Sequence, residues 1–152
     1  MIVTKDKSLI QEAKDYRDFD QKADGKYRFN FQMTDIQAGI GRAQLKMLPR
    51  FVERRREIYN KYLDARIPML KLNANDVPFR AIMLTDNIAS KISKLEKRGI
   101  KAINPMESHE ILGNNIEVPI AHNWSLKTLS LPIYPSLTND EIDYIIREVR
   151  RL

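Results

Sequence analysis

The chain contains no cysteine, one tryptophan, two histidines and five glycines. Without cysteine there is neither a disulfide frame nor a thiolate metal site. The two histidines, His109 and His122, have no carboxylate pattern beside them, so no metal site is expected. No apolar run approaches the roughly 18 residues of a membrane span. The opening Met1-Ile-Val-Thr-Lys-Asp lacks the basic region and long apolar stretch of a signal peptide, and the expectation is a cytoplasmic protein. A phosphate-binding glycine loop, a Ser-His-Asp arrangement and a paired-carboxylate site are all missing. Neither a zinc finger nor an aromatic RNA-binding signature accompanies the basic residues. Nucleic acid and membrane are therefore not expected as partners.

What is present describes a globular chain. Apolar residues make up 43% and charged residues 30% of the sequence, too apolar a balance for a disordered protein. The formal net charge of +6 favours anionic partners such as phosphorylated small molecules or acidic surfaces. The densest basic run, Arg54-Arg55-Arg56, falls in a helical stretch and reads as a solvated helix face.

Hydrophobic spacing divides the chain into a helical first half and a mixed second half. Ile2-Val3 reads as the end of a short buried strand. Residues 7–18 read as a helix with Leu9, Ile10, Ala13 and Tyr16 at helical spacing. Residues 18–32 break that period and hold Gly25, Phe19, Tyr27 and Phe29. They read as a long ordered loop, of a length more often functional than idle. Thr34-Asp-Ile-Gln37 is a capping box that starts a helix. Ile36, Ile40, Ala43 and Met47 share one face of it. Gly39 and Gly41 near its start suggest the close approach of another backbone. Pro49 is expected to end or kink this helix and to open a second one running to about Asp64, burying Phe51, Ile58, Tyr62 and Tyr59. From Met69 onward the pattern is β-α-β-β-α. It comprises a strand at 79–84, a helix at 86–98 closed by Gly99, a strand at 100–103, a short helix at 106–112, a strand at 129–131 and a last helix opened by the Thr138-Asn-Asp-Glu141 capping box. Residues 122–127 have no clear pattern. The boundary is placed in the Pro68 to Pro78 region, giving units 1–68 and 69–152. The fold class is α/β, with an α+β-like second unit.

Two long blocks and two shorter stretches carry a resemblance. Tyr27-Arg-Phe-Asn-Phe-Gln-Met-Thr-Asp-Ile-Gln-Ala-Gly-Ile-Gly-Arg-Ala-Gln-Leu45 resembles the aromatic-Asn-aromatic-Arg-Met-Thr-Asp-x-Gln-Ala-Ala-x-Gly segment of the DegT-type (DegT/DnrJ/StrS) nucleotide-sugar aminotransferases. Leu129-Ser-Leu-Pro-Ile-Tyr-Pro-Ser-Leu-Thr-Asn-Asp-Glu-Ile142 is similar to the closing strand and helix of the same family. Arg54-Arg-Arg56 with Tyr59 and Tyr62 resembles its arginine-rich, tyrosine-bearing helix. The opening Met1-Ile-Val-Thr-Lys-Asp-Lys-Ser-Leu9 looks like the strand and helix start that follow the cofactor lysine.

This resemblance implies the C-terminal portion of a fold type I aminotransferase that uses pyridoxal phosphate (PLP). Residues 1–68 would be the tail of the large domain and 69–152 the small α/β domain. The family transfers an amino group, usually from glutamate, to a nucleotide-linked keto-sugar. Its Schiff-base lysine lies upstream of the matched segments, so the chain alone is expected to be inactive and to need an N-terminal PLP-binding half or an intact homologue. Lys5 and Lys7 read as surface lysines. A homo-oligomer, usually a dimer, is implied. The alternative is a non-catalytic remnant that serves as a binding or oligomerisation module.

The resemblance also implies site residues. In the family, the loop before the capped helix crosses the dimer interface and a polar side chain there meets the neighbour's cofactor phosphate. Asn30 and Gln32 match those positions, although Gln32 stands where arginine is usual. An amide N–H suits a phosphate oxygen; the alternative is that both amides bond local backbone. Arg28 is a candidate for a sugar or nucleotide phosphate through its guanidinium fork, or else for an ion pair. His109 matches a family histidine in a loop facing substrate, or else sits on a helix surface. The aromatics around Asn30 read as packing anchors.

Overall fold

A computed structural model describes residues 2–20, 22–73, 75–113 and 116–152. The chain divides into two compact units, Met1–Met47 and Leu48–Leu152, the boundary falling within a long helix. The reason is that the C-terminal half of a long helix belongs to the second unit's core through Ile58, Tyr59 and Tyr62.

In the first unit, α1 spans Lys7–Arg17. Asp6 caps it, its carboxylate accepting from the amides of Ser8 and Leu9 at 2.8 and 3.3 Å. Ile2 and Val3 do not form the expected strand. Both are exposed, and no described segment pairs with them. Met1, placed in the same opening block, lies outside the described residues. The described residues of 18–32 hold no helix or strand, as their sequence suggests. The Thr34 capping box forms: Gln37 N–H donates to Thr34 Oγ1 at 3.3 Å, and Thr34 N–H to Gln37 Oε1 at 2.9 Å.

α2 then runs unbroken over Asp35–Asp64, with Pro49 inside it. This corrects the expectation of two helices. Proline removes one helical hydrogen bond and crowds the carbonyl four residues back, at a cost of about 3 kcal/mol. The capping box anchors one end, and burial holds the other. Ile58, fully buried, contributes roughly 1.5–3 kcal/mol by itself, and Tyr59 and Tyr62 add to it. Phe51 is only half-buried. A Cβ at Gly39 or Gly41 would meet no atom within 4 Å, so nothing in the described chain makes the close approach that these glycines suggested.

The second unit adds β1 (Ala81–Leu84), α3 (Ile88–Glu96), α4 (Pro119–Ser125), β2 (Thr128–Leu131) and α5 (Asn139–Val149). The two strands are antiparallel, with Ala81 opposite Leu131 and Leu84 opposite Thr128. Single bridges from Met69 to Met83 and from Ile103 to Ser130 widen the sheet on both sides. The strand expected at 100–103 thus shrinks to one bridge. Ala102 N–H turns back to the Ile100 carbonyl, and Pro105 lacks the donor that a ladder needs. Likewise the 106–112 helix shrinks to one 3₁₀ turn at Ser108–Glu110. The first strand begins at Ala81 instead of Phe79, whose exposed ring lies under the guanidiniums of Arg55 and Arg80. α4 occupies part of the unpatterned stretch, with Pro119 at its first turn, where a missing N–H costs nothing.

The core of this unit is Ile58, Tyr62, Leu95, Leu129, Leu131 and Ile142, all fully buried. Tyr62 donates its hydroxyl to the Pro132 carbonyl at 2.7 Å, and burial pushes its pKa upward. The Thr138–Glu141 box opens α5. α5 also buries Glu148, which meets Arg151 at 2.7 Å and Arg98 at 3.2 Å. A buried carboxylate requires such partners.

Candidate functional site

The loop between α1 and α2 gathers the polar groups of the first unit. Arg28 is its hub. The guanidinium meets Asp24 with both terminal nitrogens, each at 2.6 Å. It meets Asp15, near the end of α1, through Nε at 3.2 Å and Nη2 at 3.0 Å. Its side chain is only 5% exposed. Lys22 and Lys26 also reach Asp15, at 2.7 and 3.6 Å. The Lys22 hydrogen bond, followed by that from Arg28, holds Asp15 down to about 2. Arg28 holds Asp24 well below the usual carboxylate range, and Asp24 in turn raises Arg28. The guanidinium expected to face a phosphate is therefore engaged with two carboxylates.

The aromatics act as anchors. Phe29 N–H donates to the Tyr16 carbonyl at 3.0 Å. The Phe29 ring lies 5.5 Å from Tyr16 and stacks on Phe31 at 5.2 Å. Phe31 N–H donates to the Phe29 carbonyl at 3.0 Å, closing a tight turn around Asn30. Asn30 is exposed, and its amide has no hydrogen-bond partner among the described residues. Gln32 is also exposed and donates to Asp18 through a long 3.4 Å contact. Asn30 thus presents a free donor, whereas Gln32 is loosely held.

His109 lies in the second unit on the 3₁₀ turn, 76% exposed, with Nδ1 at 3.3 Å from Glu107 Oε2. Lys5 and Lys7 are exposed. Among the described residues no group of three metal-ligating side chains comes together, and no helix is long and apolar enough to cross a membrane.

Spacing alone could not reveal the Asp15–Arg28–Asp24 cluster. Asp15 is thirteen residues from Arg28 and on another element, and pattern reading pairs residues only within one helix or strand. The one available signal was two acids near an arginine in a loop rich in charge.

The fold defines the class of protein. The chain superposes on DesV of S. venezuelae, solved in complex with a ketimine intermediate, with a TM-score of 0.82 and 22% identity, over 98% of this chain and 45% of that one. It superposes equally on a DegT DnrJ EryC1 StrS aminotransferase from Brucella abortus, with a TM-score of 0.82 and 20% identity, over 97% and 44%. This is the α/β fold of the PLP aminotransferases, over part of its length.

Sequence narrows the class. The model of the DegT/DnrJ/EryC1/StrS aminotransferase family matches residues 1–150, and the chain belongs to that family. It is 26% identical over 171 aligned residues to GDP-perosamine synthase of Escherichia coli O157:H7, covering 98% of this chain and 46% of that protein. It is 28% identical over 148 to the spore coat polysaccharide biosynthesis protein SpsC of Bacillus subtilis, covering 80% and 37%. The chain therefore spans less than half the length of these relatives.

Proposed function

We propose that this chain supplies the C-terminal portion of a nucleotide-sugar aminotransferase, moving an amino group from an amino acid such as glutamate to a nucleotide-linked keto-sugar. On this reading residues 1–68 are the tail of the large domain and 69–152 the small domain. The Schiff-base lysine and most of the PLP pocket belong to an N-terminal half, and the assembly is a cytoplasmic dimer. The observation that carries the reading is the first unit's lack of a core. No described residue of 2–47 is buried, while Tyr27, Phe31, Met33 and Ile36 are exposed by 66–89%. So much clustered apolar surface marks an interaction face, and the open space at Gly39 and Gly41 leaves room for another backbone.

The residues present fit PLP in one limited respect. Asn30 offers an N–H donor that has no partner among the described residues and suits a phosphate oxygen. Gln32 is held by Asp18 too loosely to be withdrawn from the same task. His109 is exposed enough to meet substrate. PLP, when bound, supplies the electron sink for amino transfer. This chain's own contribution is to bind and orient the phosphate end.

The test is co-expression with the N-terminal PLP-binding half, followed by size-exclusion chromatography and absorbance. A stoichiometric complex that retains PLP and aminates a nucleotide-linked keto-sugar is expected. A well-behaved homo-oligomer that ignores that half overturns the reading in favour of a binding or oligomerisation module.

A further inference from the structure

Asn30 sits outside any helix or strand, spanned by the turn bond from Phe31 N–H to the Phe29 carbonyl, and three ties converge on the two residues before it. Arg28 joins Asp15 of α1 to Asp24 of the loop. Phe29 N–H is tied to the Tyr16 carbonyl. The Phe29 ring lies against Tyr16 and Phe31. Only the first of these depends on a side chain whose chemistry is irreplaceable. A guanidinium can address two carboxylates at once because its donors form a planar fork. Here five donor contacts to Asp15 and Asp24 use that fork. Lys22 and Lys26 already place positive charge at Asp15, so charge alone does not explain why an arginine is buried here.

We infer that Arg28 is a positioning residue: by clamping Asp15 and Asp24 it fixes the loop in the conformation that presents the Asn30 amide. The inference rests on the proposed contact between Asn30 and the cofactor phosphate. It assigns Arg28 to the geometry of that contact instead of to a substrate phosphate. A loop held in its binding conformation before the ligand arrives loses less conformational entropy on binding. The clamp therefore acts on cofactor retention without touching the cofactor.

The Arg28→Lys variant keeps the charge and removes the fork. In the 152-residue chain by itself, amide exchange at Phe29 is expected to accelerate by about tenfold, since local opening sets exchange, with exchange in α5 unchanged as the internal reference. Unaltered exchange at Phe29 overturns the clamp. In the assembly with the PLP-binding half, Arg28→Lys and Asn30→Ala are each expected to speed PLP dissociation, and the double variant to behave like Asn30→Ala, because residues acting through one contact are not additive. Faster loss with Asn30→Ala but not with Arg28→Lys defeats the positioning role and leaves the Asn30 contact standing. Unchanged loss with Asn30→Ala defeats the contact itself, and the positioning role with it.

Discussion

The two units of this chain are built from helices of similar amphipathic pattern, yet every buried apolar side chain among the described residues lies in Leu48–Leu152 and none in Met1–Met47. In the second unit α5 buries Ile142, Ile145 and Val149 in the core. In the first unit Ile36 and Ile40, at comparable helical spacing, are 77% and 56% exposed. The first unit is instead organised by charge: a guanidinium, two carboxylates and two lysines hold its loop on α1. A periodic apolar face thus says that a helix buries something. It does not say that the burying surface lies in the same chain.

The comparison breaks first, and most strongly, in the core. Ile142→Ala is expected to destabilise the second unit by about 2–5 kcal/mol, read as a shift in the urea midpoint. A loss below about 1 kcal/mol would mean that this core is not the stabilising one. Next comes Pro49→Ala. If α2 merely tolerates its proline, alanine restores a hydrogen bond and relieves the ring clash, stabilising by up to about 3 kcal/mol. Destabilisation would show that the proline shapes the helix for a purpose. At the N-terminus of α5, Thr138→Ala removes the oxygen that caps Glu141 N–H and should cost about 1 kcal/mol.

The charge cluster is the place to test the first unit. Asp15 titrates at about 2 in the folded chain against an ordinary 3.8. Its contribution is therefore complete above about pH 4 and is lost as pH falls through about 2. Amide exchange at Phe29 should lose protection over that window, with Asp24, held lower still by Arg28, following at more acid pH. Protection unchanged across that window would show that Asp15 does not hold the loop and would leave its order to the Arg28–Asp24 pair and the aromatics. The smallest expected effect is Ile36→Ser. An exposed site away from the core should change stability by no more than about 0.5 kcal/mol, yet the same change should weaken assembly with the PLP-binding half. A large loss of stability in the isolated chain would show that the first unit has a core after all.

Much of the fold was legible because its signals are local. Both capping boxes formed where Thr34-Gln37 and Thr138-Glu141 placed them, and Gly99 adopts φ of 74° after α3. Each depends on groups within four residues. The misreadings share the opposite cause. Pro49 looked like a break because the burial that keeps α2 continuous comes from elements beyond residue 66. Residues 100–103 looked like a strand because their composition is apolar, whereas pairing is decided by Ser130. Ile2 and Val3 looked buried because the sequence cannot display the absence of a neighbour. The candidate site divides the same way. Asn30 was singled out by its place in a block of residues, and its amide has no partner among the described residues. Arg28 was singled out too, and of its two readings, a phosphate contact or an ion pair, the ion pair is the one formed.

The sequence by itself determined the family, the order of the elements and the helix starts, since each is written in residues adjacent along the chain. Only the tertiary structure decided which apolar faces are covered, that α2 runs through its proline, and that Arg28 lies between Asp15 and Asp24. Those outcomes depend on contacts between residues far apart in sequence, whose free energies outweigh local preference by a few kcal/mol and leave no mark in the spacing.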